Sequence, residues 1–373
     1  MLSSDFIIAL IVSFGVSVIL TVAVIYIAKK WKILDNPDGQ RKIHTKPMPL
    51  LGGLAIFLSF SIVALVYSFF SHDLTGDTIV FKNILGIIIG AGILAIGGFL
   101  DDKYNLKPYQ QIIFPVLSIF SVIICGIGID WITNPFGEGL FYLNGQQFTL
   151  FWYGGFPYKI TLLADILTFF WLFGMMYTTK LLDGLDGLVS GITIISAVFI
   201  FLTAINKGEI IQYDVALLAM ILIGVFVGFL VFNFNPARIF LGEGGSTMAG
   251  FFLGSISIVS GSKIGVTFML LSIPILDFLW TIIRRLMEKR SFAGADRKHL
   301  HHRLLDSGLT VKQAVMFLYA ITVVFGIMVY YLQDYGISLL GLFFLSLVVF
   351  MLIFAYIYKK TKKREDNLTE GIK

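Results

Sequence analysis

Charge is scarce in this sequence. Asp, Glu, Lys and Arg together make up 14% of its 373 residues, against roughly 25% in a soluble globular protein. Cysteine is scarcer still: the one thiol, Cys125, lies inside an apolar run without a partner, which excludes a disulfide framework. Neither HExxH nor GK[ST] occurs, which excludes a zincin-type metal helix and a Walker phosphate loop. No internal repeat is visible, which weighs against a transporter built from duplicated halves.

What the chain has instead is apolar length. Hydrophobic residues make up 57%, with 36 Phe, and the mean hydropathy is +0.88. Runs longer than about 18 apolar residues, enough to cross a bilayer as a helix, recur from end to end. Eleven spans are predicted near 6–28, 50–70, 83–100, 112–130, 162–179, 187–205, 214–232, 246–261, 263–283, 313–331 and 337–358. The first has no basic leader and no small-residue cleavage site after it, so it reads as a retained helix rather than a signal peptide. Gly86 and Gly90 form a GxxxG in the third span, a pattern of close helix packing.

The basic residues orient these spans. With the N-terminus outside, 24 of the 28 Lys and Arg fall on one side, which the positive-inside rule makes cytoplasmic. The expected fold is an all-α polytopic membrane protein of about 11 transmembrane helices, N-terminus outside and C-terminus cytoplasmic. It forms one domain over 1–358, with loops 29–49, 101–111, 180–187, 233–246 and 284–312 on the cytoplasmic face. Residues 359–373 read as a charged, disordered tail. On the outer side, Asn144-Gly145 between two short apolar stretches predicts a small β-hairpin near 141–150.

Ionisable residues at the ends of membrane spans are costly and mark functional sites. Asp101 and Asp102 close the third span, Asp183 and Asp186 lie in a DGLDG after the fifth, and Glu243 lies in a glycine-rich LGEGGS before the eighth. All five meet the same face in the topology above. Asp183 and Asp186 share a face of a helical turn, and Gly184 and Gly187 let a ligand approach the backbone. Glu243 is a hard oxygen ligand suited to Mg2+. In the last long loop, His299, His301 and His302 lie beside Arg297, Lys298 and Arg303. With no cysteine at hand, that set fits an anion better than zinc. Arg41, Lys42 and His44, in a Pro/Gly-shaped loop, add further anion ligands. Clustered acids for a divalent metal and clustered bases for phosphates, beside lipid, suit phosphoryl transfer between a soluble diphosphate and a membrane lipid.

From about Asp35 to Leu305 these motifs, in this order, resemble the polyprenyl-phosphate N-acetylhexosamine-1-phosphate transferases of glycosyltransferase family 4. The His-x-His-His form looks like the branch that uses UDP-N-acetylglucosamine and is unlike the phospho-MurNAc-pentapeptide branch. The resemblance implies transfer of N-acetylhexosamine 1-phosphate, GlcNAc-1-phosphate in this branch, from a UDP-sugar to undecaprenyl or another polyprenyl phosphate. UMP is released and a lipid-linked cell-envelope glycan begun, at the inner membrane and with Mg2+ (Mn2+ as the alternative). It implies that Asp101 or Asp102 positions or deprotonates the lipid phosphate, and that Asp183 and Asp186 stand near metal and nucleoside. It puts Glu243 at the Mg2+ ligand position and Asn233 and Phe240 at uracil. Arg41, Lys42, His44, Arg297, His299, His301 and His302 would hold phosphates and sugar. Three departures stand out: Lys180 replaces the usual Asn, Glu243 the usual Asp, and Gly244 the usual Ser or Thr. Lys180 is expected to pair with Glu243 or a phosphate. The partners implied are the UDP-sugar, the polyprenyl phosphate and the bilayer, with no nucleic acid; a homodimer is left open. The competing readings are a catalytically divergent paralogue and a transporter or flippase of lipid-linked sugars.

Overall fold

The computed structural model describes the chain apart from residues 1–3, 38–45, 72–73, 77, 134–138, 144, 146, 154–155, 207–210, 262–263, 289–298, 333–338 and 371–373. Its helices are α1 (Ser4–Lys30), α2 (Gly52–Phe70), α3 (Phe81–Tyr104), α4 (Pro108–Gln111), α5 (Ile113–Ile124), α6 (Leu162–Leu182), α7 (Leu188–Asn206), α8 (Tyr213–Asn233), α9 (Gly242–Val259), α10 (Ile264–Leu270), α11 (Ser272–Met287), α12 (Leu300–Asp306), α13 (Val311–Leu332) and α14 (Leu339–Glu370). The strands are β1 (Leu34–Asp35), β2 (Met48–Pro49), β3 (Trp131–Thr133), β4 (Leu140–Tyr142), β5 (Gln147–Tyr153) and β6 (Phe156–Thr161), paired antiparallel two by two.

Seven described helices are long and apolar enough to cross a membrane, and α10 with α11, bent by 71° at Leu271, makes up to eight. The chain is therefore a multi-pass membrane protein. The seven coincide with seven of the predicted spans. The segments at 112–130 and 337–358 contain shorter apolar helices, over Pro108–Ile124 and Phe343–Ile357.

Helices α8 and α9 occupy the centre, buried along nearly their whole length. Small residues let the others close on them. The buried face of α1 repeats Ala9, Ser13, Ser17, Thr21, Val24 and Ala28 at helical spacing. It meets Gly224 and Gly228 of α8, where a Cβ would overlap Ser13 and Ser17, and the Ser17 hydroxyl donates to the Val225 carbonyl (2.6 Å). With no hydrophobic force between helices in lipid, this close approach and its hydrogen bonds hold them together. Gly86 and Gly90 do the packing expected of them, against Cys125 and against Ser121 and Phe251.

Two expectations are corrected. The hairpin near 141–150 does not form across Asn144-Gly145: β4 turns back to pair with β3, and β5 pairs forward with β6. The partners that win are aromatic and apolar cross-strand pairs, Trp131 opposite Tyr142 and Phe148 opposite Ile160. The tail, expected to be disordered from 359, is helical to Glu370 as the continuation of α14. Its Lys, Glu and Arg residues favour helix once a turn already exists to extend.

Candidate active site

The ends of α3, α6 and α8, the starts of α2 and α9, and the β1–β2 pair converge at one end of the bundle. Glycines make this possible. A Cβ on Gly53 would collide with the backbone of Gly245, and one on Gly98 with the backbone of Gly244. Three helix ends thus touch backbone to backbone. Gly242, at φ +69°, makes the left-handed turn that starts α9.

Asp102 is locked into this junction. It accepts from the Leu51 N–H (3.1 Å) and, at 3.4 Å, from the Glu243 N–H, where the positive end of α9 favours a carboxylate. Asp101 organises the adjoining turn, accepting from the Leu106 N–H (2.9 Å) and the Gln111 amide (2.8 Å). Gln111 in turn accepts from Lys180 Nζ (3.0 Å), and Lys180 forms an ion pair with Glu243. The pairing expected of the two departures is therefore made, within a chain of contacts Asp101–Gln111–Lys180–Glu243. Burial raises the Glu243 pKa and Lys180 opposes the rise.

The DGLDG loop follows α6. Asp186 accepts from the Asn235 amide (2.9 Å) and the Ala237 N–H (3.1 Å), which joins this loop to the α8–α9 connection. That connection is stitched to β2 and α2 by hydrogen bonds from Phe240 N–H to the Pro49 carbonyl (2.9 Å) and from Gly52 N–H to the Phe240 carbonyl (3.1 Å). Asp183 caps α6 and opens onto a cavity of about 570 Å³. Its edge meets water, but enclosure by the protein first, then Glu243, Asp186 and Asp102, push its pKa up to about 8. Asp183, Asp186, Asn233, Phe240 and His302 line this cavity, as do Asp35, Lys46 and Asn235.

The predicted residues thus divide. The acids of the three loops are brought together. Asn233 reaches the cavity, but its amide is engaged at both ends, accepting from Ser190 (2.9 Å) and donating to the Ile239 carbonyl (3.0 Å). Of the described histidines only His302 lines the cavity, whereas His299 and His301 are buried behind it. Arg41, Lys42, His44 and Arg297 lie outside the described residues. Lys46, Gln111 and Asn235 were not singled out as site residues from the sequence; only their place in loops between acidic motifs pointed to them.

Among the described residues, no three of His, Cys, Asp and Glu stand close enough to hold a metal unaided. That does not exclude Mg2+, which takes one or two carboxylates and completes its shell with water and substrate phosphates. Burial is the larger cause of the raised Asp183 pKa; the repulsion from Glu243, Asp186 and Asp102 that adds to it is what a divalent ion there would relieve.

Fold and site together define a polytopic membrane protein with an acidic, glycine-framed cavity where its spans end. The family model described as glycosyl transferase family 4 matches residues 84–261. The chain is 30% identical to the probable undecaprenyl-phosphate N-acetylglucosaminyl 1-phosphate transferase of Bacillus subtilis, over 94% of this chain and 91% of that one. It is 27% identical to the decaprenyl-phosphate N-acetylglucosaminephosphotransferase of Mycolicibacterium smegmatis, over 80% and 77%. It is 34% identical to the phospho-N-acetylmuramoyl-pentapeptide-transferase of Streptococcus uberis, over 60% and 62%. The chain belongs to glycosyl transferase family 4.

Proposed function

We propose that the chain is a phosphosugar transferase that moves GlcNAc-1-phosphate from UDP-GlcNAc to undecaprenyl or another polyprenyl phosphate, starting a lipid-linked cell-envelope glycan. The observation that carries this reading is that Asp183 and Asp186 line one cavity with Lys46 and His302, with Glu243 and Asp102 near enough to act on Asp183, in a chain alike over nearly its whole length to a relative bearing that name.

In the reaction, an oxygen of the lipid phosphate attacks the sugar-bearing phosphorus of the donor. The bond from that phosphorus to the bridging oxygen breaks, and UMP leaves with the electron pair. Little covalent work falls to the protein in such a transfer; positioning and charge neutralisation dominate. Lys46 and His302 supply donors to phosphate oxygens from the cavity wall. Phe240 offers a ring against which uracil stacks. Asp101, Asp102 and Asp186 act by holding helix ends and loops, each through backbone N–H groups. Asp183 and Glu243, the latter now paired with Lys180, are the carboxylates that would hold Mg2+. When bound, the ion neutralises the diphosphate and polarises its phosphorus.

The basic-residue bias supports eleven spans, an outer N-terminus and a cavity opening to the cytoplasm at the inner membrane. Shorter helices such as α5 and α9 then complete the count beside the seven long ones. The test is UMP release by the purified full-length protein with undecaprenyl phosphate, Mg2+ and a panel of UDP-N-acetylhexosamines. Release with UDP-GlcNAc, lost on adding EDTA, is expected; silence across the panel in folded protein refutes the reading.

A further inference from the structure

An acid that the function above leaves unused lies in the middle of an apolar helix. Asp277, on α11, is buried and makes three contacts. Its Oδ2 meets His299 Nδ1 (3.0 Å) and its Oδ1 accepts from the Leu300 N–H (3.0 Å). Its backbone carbonyl accepts from the Thr281 hydroxyl (2.8 Å), which itself stands 3.4 Å from His299 Nδ1. The Asp277 and His299 side chains are 12% and 5% exposed, so neither exchanges its partner for water. A carboxylate can only accept. The proton of His299 is therefore on Nδ1, whether the ring is neutral or charged.

His299 hands this fixed position on. Its ring lies parallel to that of His301, interplanar angle 2° and centroids 5.7 Å apart. His301 is buried, with Nδ1 unpartnered among the described residues, and its Nε2 lies where a Cβ on Gly184 would be. His301 thus rests directly on the loop that carries Asp183 and Asp186. His302, tilted 50° against His301 at 4.3 Å, turns into the cavity. A buried acid and two buried imidazoles form a stack that ends on the backbone of the acidic loop.

We propose that Asp277 is a positioning residue of the transfer: by fixing His299 it seats His301 behind the Asp183–Asp186 loop and leaves His302 as the one of these three histidines that meets substrate. This rests on the reaction proposed above. Misplacing reacting groups by about 1 Å costs on the order of a hundredfold in rate, so loosening the loop acts on kcat more than on substrate affinity.

The test uses the full-length protein in detergent with Asp277→Asn, His299→Asn and the double variant. Nitrogen NMR on histidine-labelled protein is expected to find His299 protonated at Nδ1 in the wild type. In Asp277→Asn it should shift to Nε2, because the Asn amide donates where the carboxylate accepted. UMP release is expected to lose at least tenfold in kcat in each single variant, with KM for UDP-GlcNAc changed less than threefold. The double variant should lose no more than either single one. His299→Asn, whose amide can still donate to Asp277, provides the turnover reading if Asp277→Asn does not fold. Wild-type kcat in a folded variant, losses that add in the double variant, or a His299 proton on Nε2 in the wild type each overturn the proposal. If the wild type itself releases no UMP, the reaction has failed, and the NMR result still decides whether Asp277 sets His299.

Discussion

Lys180→Met offers the sharpest view of how charge is arranged at this site. In the structure the Lys180 ammonium is already paired with the carboxylate that a divalent ion would use, and each side chain is about one-fifth exposed. Two unit charges about 4 Å apart interact by about 4 kcal/mol at an effective dielectric constant near 20. Water reaching the partly exposed pair reduces this to about 2 kcal/mol, which corresponds to a factor of about thirty in a dissociation constant. Removing the ammonium frees Glu243 for the ion and removes the cation that opposes the rise in its pKa. The expected result is an affinity for Mn2+, measured by calorimetry or spin resonance without nucleotide, about thirtyfold tighter in Lys180→Met than in the wild type. The metal-free variant should in turn be less stable to heat than the wild type, with most of the loss recovered on adding the ion. An unchanged Mn2+ affinity in folded Lys180→Met would show that the ion pair and the metal do not compete, and the assignment of Glu243 as a ligand would fall with it.

Other expectations are simpler. Asp183→Asn should reduce UMP release by at least about a thousandfold while leaving thermal unfolding little changed, since the side chain faces the cavity; the comparison is steady-state rate against melting curve. Because the Asp183 pKa is raised to about 8, the metal-free carboxyl holds its proton at neutral pH, and ion binding must expel it. Mn2+ affinity is therefore expected to climb with pH up to about 8, with close to one proton released per ion near pH 7, read from calorimetry in buffers of different ionisation heat. The same sign governs stability: a raised acid contributes most below its unfolded pKa near 4 and loses that contribution as pH rises through about 8. Gly98→Ala should cost roughly 1–3 kcal/mol by overpacking against Gly244, seen as reduced heat stability and lost activity together.

The parts of the site that were legible in the sequence are those tied to chain ends of apolar runs. Asp101, Asp102, Asp183, Asp186 and Glu243 each sit where hydrophobicity stops, and the Lys and Arg bias assigns those ends to one face. That is enough to predict their meeting. It does not predict what each carboxylate touches, so the hydrogen bonds that tie Asp101, Asp102 and Asp186 to backbone N–H groups were not foreseen. Asp277 was invisible for a different reason: it stands within the apolar segment 263–283, and its partner His299 is 22 residues further along. Nothing local links the two. The hairpin misreading at 141–150 has the same cause in reverse, a strong local turn signal at Asn144-Gly145 outweighed by strand partners that lie outside the window. The two histidines read as phosphate ligands are buried because a polar ring at a helix start can serve packing as readily as substrate, and spacing alone does not separate the two uses.

The glycine contacts at Gly53–Gly245 and Gly98–Gly244 have a consequence for anyone who would redesign this protein. Where peptide planes abut, there are no rotamers to vary, so the helix junction next to the cavity behaves as a fixed template with dimensions set by bond lengths. A library aimed at a different sugar gains nothing from randomising that junction. Its useful diversity lies in the walls, at Lys46, Asn235 and His302, where side chains rather than backbone face the donor.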